Sequence, residues 1–256
     1  MEPVYDTVIT LARSLWAVEG LKFTISGVEN VPKSGGAVIA VNHTGYLDFT
    51  YAGLPAFLQG KRKVRFMAKK EVFDNKISGP IMRSLRHIPV DRGAGADSYR
   101  AAVDYLRDGE LVGVYPEATI SRSFEVKAFK SGAARMAQEA GVPIVPTVIW
   151  GAQRVWTKGH PKRLGRTNIP ISIGVGKPID ASGDPAEVTA ELHTVMSGLL
   201  LDLQATYGPY PPGEFWVPAR LGGGAPTLDE ANRMDAEEQA EKAAKRAAKE
   251  AEGHSS

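Results

Sequence analysis

Apolar positions along the chain change their period repeatedly, and each change marks a predicted element. Over 3–19 (PVYDTVITLARSLWAVE), Val8, Leu11, Leu15 and Val18 recur on one helical face, widened by Ile9, Ala12 and Trp16. An amphipathic first helix carrying a tryptophan suits a membrane interface as well as it suits the domain's own core. Short β-like runs follow, LKFTISG and GAVIAVNH, each bounded by turn residues. A helical stretch near 47–58, a strand at VRFMAK, a helix near 77–86 and a strand at IPVD come next. The segment DSYRAAVDYLRDG spaces Ala101, Ala102, Tyr105 and Leu106 for one helical face, and ELVGVYPE reads as a strand. SGAARMAQEAG is a helix that ends on a cap glycine, Gly141. VPIVPTVIW and ISIGVGKPI are further strands, and 185–206 reads as a helix. Strands alternating with helices at this spacing predict an α/β domain, with a mixed, largely parallel sheet flanked by helices.

The pattern stops near GGGAP at 222–226. Beyond it alanine is the only frequent apolar residue, while Glu238 with Lys242 and Glu241 with Lys245 form oriented i,i+4 pairs. A helix with no face to bury is expected there, mobile and outside the fold. The predicted organisation is an N-terminal helix over 1–20, one α/β domain over 21–220 and a flexible charged tail over 221–256.

Composition narrows the chemistry. The chain has 256 residues, 43% of them hydrophobic and 23% charged, which excludes bulk disorder. It has no cysteine, so a disulfide, a thiolate metal site and a cysteine acyl-enzyme are all excluded. Its longest apolar stretch, VPIVPTVIWGA, is far short of the roughly 18–20 residues that span a bilayer. The acidic Glu2 and Asp6 do not fit a signal peptide, so the protein is expected to stay where it is made, with any membrane contact peripheral. Residues 61–92 hold ten basic and three acidic side chains, a field suited to an anionic membrane surface or a phosphate-bearing substrate. Nucleic acid is set aside as a partner, because these bases alternate with apolar runs that read as core.

The most informative segment is VNHTGYLD. A strand ends at Val41, His43 then stands at the edge where α/β folds keep reactive groups, and Asp48 opens the next helical stretch. Asp48 can reach back to one imidazole nitrogen and leave the other to take a proton. Taken alone, the spacing is explained more readily by chance or a structural hydrogen bond than by catalysis. The five histidines form no close ligand pair, so no metal site is expected.

Further segments follow in order: IPVDRG ending at Arg92, YPEATISRS after the strand LVGVY, then FKSGAARMA and VPIVP. Together with NHTGYLD, this series resembles the glycerolipid acyltransferase family typified by lysophosphatidic acid acyltransferases, over about 21–179. Asn42, His43 and Asp48 match its first motif and Arg92 its second; Tyr115, Pro116, Glu117 and Thr119 match part of its third, and the VPIVP strand its fourth. The resemblance implies O-acyl transfer at the cytoplasmic face of the cell membrane, as in phospholipid biosynthesis, with no cofactor. His43, oriented by Asp48, would act as general base on an acceptor hydroxyl that attacks the thioester of acyl-CoA or an acyl carrier protein. Asn42, Arg92, Glu117 and Thr119 would shape the pocket of a lysophospholipid-type acceptor. Ala118 and Ile120 depart from the family's usual glycine and arginine, so either Arg122 or Lys130 supplies the missing cation or the acceptor lacks a free phosphomonoester. An idle lipid- or acyl-CoA-binding site, or a thioester hydrolase, would use the same residues.

Overall fold

The structure is a computed structural model that describes residues 2–91 and 95–253. Its strands are β1 (Lys22–Ser26), β2 (Ala37–Val41), β3 (Val64–Lys69), β4 (Ile88–Val90), β5 (Leu111–Val114), β6 (Ile144–Trp150) and β7 (Pro170–Val175). They form one sheet in the order β1-β7-β6-β2-β5-β3-β4. Every pairing is parallel except β6 with β7, so the expected mixed, largely parallel sheet is present. The helices are α1 (Pro3–Glu19), α2 (Asp48–Ala52), α3 (Leu54–Gly60), α4 (Lys70–Asp74), α5 (Ser78–Ser84), α6 (Gly95–Arg107), α7 (Gly132–Ala140), α8 (Pro185–Thr206) and α9 (Leu228–Gly253).

β2 explains why the centre of the sheet sits where it does. Its five residues, AVIAV, are all buried, as a strand covered on both faces requires. On β5, Gly113 leaves room for the Phe66 ring of β3; a Cβ there would lie 2.4 Å from two ring carbons. Phe66 is also tied to His87, whose Nδ1 accepts the Phe66 backbone N–H at 3.0 Å. Burial, with the Arg65 charge nearby, lowers the His87 pKa to about 4, which keeps this acceptor neutral. Arg65 is itself 1% exposed and lies between Glu2 and Glu110, with a further bond to Leu85 O at 3.1 Å.

Some predicted elements are divided or differently placed. The stretch 47–58 is two helices, broken at Gly53 with Pro55 following, and the short α4 precedes the helix expected near 77–86. On α1 the core takes Tyr5 and Trp16, while Val4, Leu11, Leu15 and Val18 stay half or more exposed. The described chain divides into two compact units, 1–120 with 126–208, and 121–125 with 209–256, so the expected boundary near 220 falls inside the second. In that second unit α9 starts with a reciprocal cap, Glu230 Oε2 accepting from Thr227 N at 2.8 Å and Thr227 Oγ1 from Glu230 N at 3.3 Å. Ala231 and Asp235, one turn apart on α9, are buried, so the expectation of a helix with no buried face does not hold there.

Candidate active site

The site is built where β2 and β5 end, on the carboxyl edge of the parallel strands. Asn42 makes the exit from β2 possible. Its Oδ1 accepts the Ile149 N–H at 2.7 Å and its Nδ2 donates to Ile149 O at 3.0 Å, so a side chain continues the ladder to β6 as the backbone turns away. Both ends of its amide are thus engaged with backbone, and the residue is 1% exposed.

His43 comes next and is held at three points. Its backbone N–H donates to Glu117 Oε1 at 2.8 Å. Its Nδ1 lies 3.0 Å from Asp48 Oδ2. Its ring stacks on Tyr115, with centroids 4.1 Å apart and planes 21° from parallel. A carboxylate at Nδ1 places the ring proton there, so Nε2 carries the lone pair. Nε2 has no hydrogen-bond partner among the described residues, and the side chain is 20% exposed.

Asp48 is fully buried at the first residue of α2. Its Oδ2 also accepts the backbone N–H groups of Thr44 at 2.7 Å and Gly45 at 2.8 Å. Three donors on one oxygen fix the carboxylate, and through it the imidazole. Gly45 is required by close approach, since a Cβ would lie 2.8 Å from Trp156 O. The loop after β6 braces this turn: Tyr46 N donates to Trp156 O at 3.0 Å and Thr157 Oγ1 to Thr44 O at 2.6 Å.

Glu117 links the two strand ends. While Oε1 holds His43, Oε2 accepts the Lys127 backbone N–H at 3.2 Å. Burial pushes its pKa up to about 8, against the opposing pull of those two N–H groups and of the Lys127 charge. Ala118 follows with φ 59°, left-handed backbone at the position where glycine is usual in the resembling motif. Ile120, where that motif has arginine, is 6% exposed and apolar.

The other residues singled out in the sequence lie as follows. Thr119 Oγ1 accepts from the Lys127 ammonium. Arg122 belongs to the second unit, where Nε lies 3.3 Å from Asp235 and Nη2 lies 2.9 Å from Glu238. The Lys130 side chain is exposed, and its backbone N–H donates to Pro116 O at 3.0 Å. Arg92 lies outside the described residues; its neighbour Asp91 pairs with Lys70 at 3.4 Å. Lys127 was missed from the sequence. It is 8% exposed, and no spacing rule marks a lysine ten residues beyond a glutamate. Among the described residues no group of three His, Cys, Asp or Glu side chains could hold a metal ion.

The geometry provides an oriented base with an open lone pair, held by backbone contacts on a buried carboxylic acid. It is suited to taking a proton from a hydroxyl or water brought to Nε2.

Comparison with known proteins places this arrangement among relatives. The profile of a family described as "Acyltransferase" matches residues 22–150. The chain is 34% identical over 140 residues to the 1-acyl-sn-glycerol-3-phosphate acyltransferase of Bacillus subtilis, covering 53% of this chain and 68% of that protein. It is 29% identical over 150 residues to the Borreliella burgdorferi protein of the same name, covering 57% of each. With the chloroplastic LPAT1 of Arabidopsis thaliana it shares 29% identity, over 66% of this chain and 48% of that one. The crystal structure of the 1-acyl-sn-glycerophosphate (LPA) acyltransferase PlsC from Thermotoga maritima superposes with a TM-score of 0.63. The two are 25% identical, over 77% of this chain and 78% of that one.

Proposed function

Because the chain belongs to the acyltransferase family, we propose that it moves a fatty acyl group from a thioester donor to a hydroxyl of a lysophospholipid-type acceptor, with His43 as general base. The observation that carries this reading is the His43–Asp48 pair, hydrogen-bonded at 3.0 Å through Nδ1, with the His43 side chain 20% exposed.

In the proposed step Nε2 accepts the hydroxyl proton as the oxygen attacks the thioester carbonyl. The Asp48 carboxylate stabilises the imidazolium that forms. Attack forms the O–C bond and a tetrahedral intermediate, whose collapse restores the carbonyl and breaks the C–S bond. The thiolate leaves readily, since a thiol has a pKa of about 8.5, and it recovers the proton from His43. Acyl-CoA and acyl carrier protein both fit this chemistry. Thr119, Lys127 and Lys130, with Arg92, are the residues we assign to the acceptor's headgroup, and Glu117 we assign to holding His43.

We place the reaction on the cytoplasmic face of a membrane, reached peripherally. Among the described residues no helix is long and apolar enough to cross a bilayer. The exposed Leu11, Leu15 and Val18 of α1 suit partial insertion at an interface.

The test is acyl transfer from labelled acyl donor to a panel of lysophospholipids, with wild type and His43→Ala in parallel. Label in a diacyl product from wild type alone is expected. Equal transfer by folded His43→Ala would overturn the assignment. Release of free fatty acid at the same rate with and without acceptor would make the protein a hydrolase instead.

A further inference from the structure

Between Glu139 and Asp180 the chain has no carboxylate side chain, yet it carries six lysines and arginines: Arg154, Lys158, Lys162, Arg163, Arg166 and Lys177. Five of them, Arg154 to Arg166, lie in the segment that joins β6 to β7, and residues 161–166 are exposed throughout. Lys162, Arg163 and Arg166 make no ion pair among the described residues. Like charges gathered without a counterion repel one another and favour an anionic partner.

Topology puts this loop beside the reacting atoms. β6 runs parallel to β2, so the end of β6 lies on the same edge of the sheet as His43. The loop is then bonded to the His43–Asp48 turn through Tyr46 N to Trp156 O and Thr157 Oγ1 to Thr44 O, at 3.0 and 2.6 Å. The hydrogen bond from Arg163 N to Val155 O, at 2.8 Å, folds the basic segment back over its own start.

The loop also presents aromatic surface. Tyr46 is 43% exposed, and its ring lies 4.6 Å from that of Trp156, tilted by 40°. Lys162 Nζ sits 4.0 Å from the Trp156 centroid, a cation held against an aromatic face. Aromatic faces with fixed cations around them are the means by which proteins hold a purine and its phosphates. An acidic carrier protein would need the cations and would make little use of the aromatic pair.

We propose that the β6–β7 loop, with Tyr46, seats the nucleotide end of a coenzyme A thioester. The adenine lies on the Tyr46–Trp156 pair, and the phosphates lie on Lys162, Arg163 and Arg166. This inference rests on the thioester-dependent reaction above and makes coenzyme A, rather than a carrier protein, the donor.

Two titrations and one kinetic comparison test it. Free coenzyme A, and separately adenosine 3′,5′-bisphosphate, are titrated calorimetrically into wild type, His43→Ala and the double variant Lys162→Ala/Arg163→Ala. Both substituted cations are exposed, so the fold is expected to survive, which circular dichroism checks. We expect wild type and His43→Ala to bind both ligands equally. The double variant should bind at least tenfold more weakly, and the difference should shrink as salt is raised. In the transfer assay its KM for acyl-CoA should rise with kcat unchanged. Unchanged coenzyme A affinity in the double variant overturns the proposal, as does failure of the bisphosphate to compete with coenzyme A. A KM that rises for acyl carrier protein and not for acyl-CoA overturns it in favour of a protein donor. Loop-dependent coenzyme A binding without transfer to any acceptor would sustain this inference while removing the proposed reaction.

Discussion

Replacing Glu117 with glutamine tests how the site is held together. The wild-type carboxyl accepts His43 N at 2.8 Å and Lys127 N at 3.2 Å. An amide keeps one acceptor oxygen and turns an NH2 group towards the other backbone N–H. One buried donor is left unsatisfied, at a cost of about 1–3 kcal/mol. A second effect depends on pH. Burial raises the Glu117 pKa from 4.5 to about 8, so the folded state binds this proton more tightly than the unfolded chain does. The stability this group contributes is complete below about 4.5 and is lost as pH rises through about 8. A rise of that size is worth on the order of 5 kcal/mol across the window, at about 1.4 kcal/mol per pKa unit. The glutamine does not titrate. Urea unfolding of both proteins at intervals from pH 5 to 8.5 should therefore show wild type ahead at the acid end, with its advantage shrinking as pH rises. All other titrations are common to the two proteins and drop out of the difference. A constant gap, or one that widens with pH, would refute the reasoning. Because Glu117 touches the His43 backbone and not the reacting atoms, kcat should also fall, with little change in donor KM.

Four further outcomes follow from the same contacts. Ala118→Gly removes a left-handed alanine at φ 59° and should stabilise the protein by about 1 kcal/mol, read as a higher urea midpoint at unchanged m. Removing both counterions of Arg65, as Glu2→Gln with Glu110→Gln, strands a guanidinium that is 1% exposed and should cost about 3–5 kcal/mol. Arg65→Met leaves only partly exposed carboxylates and should cost less, so the reverse order in chemical denaturation would defeat this account. His87→Leu leaves the Phe66 N–H unsatisfied, about 1–3 kcal/mol, and should abolish the loss of stability expected of wild type as pH falls from about 6.5 to about 4, where the unfolded chain protonates first. Lys127→Met should raise KM for acceptors with a phosphomonoester headgroup, with smaller effects on zwitterionic lysolipids, and Lys127→Arg should recover most of the loss.

The sheet and most of its helices were legible because their signals are local. β2 reads as a continuous apolar run, and α6 and α7 read as faces with helical period. His43 and Asp48 could be paired on paper because five residues separate them and one turn joins them. Glu117 was legible as a motif position, but its contact with His43 spans 74 residues and depends on β2 and β5 being parallel neighbours. Lys127 was not legible, because the same contact reaches it through its backbone N–H, and backbone donors carry no sequence signature. α4, with five residues, is too short to establish a period. The α1 pattern was legible as apolar but not as divided, since Trp16 and Leu15 are adjacent in sequence and face opposite environments.

Two departures in the loop after β5 gain meaning together once the structure is known. An arginine at position 120 would have to leave a site that is 6% exposed, so isoleucine there belongs to the packing beneath the loop. Arg122, the nearest alternative in sequence, is engaged by Asp235 and Glu238 of α9. What stays beside Thr119 is Lys127, bonded to its hydroxyl and anchored by its backbone to the carboxyl that also holds His43. A positive charge is therefore retained on this loop, seven residues further along than in the resembling motif. Its placement is fixed by the Glu117 carboxyl that also bonds the His43 backbone, so a substitution that disturbs Lys127 at the backbone would be felt at His43 as well.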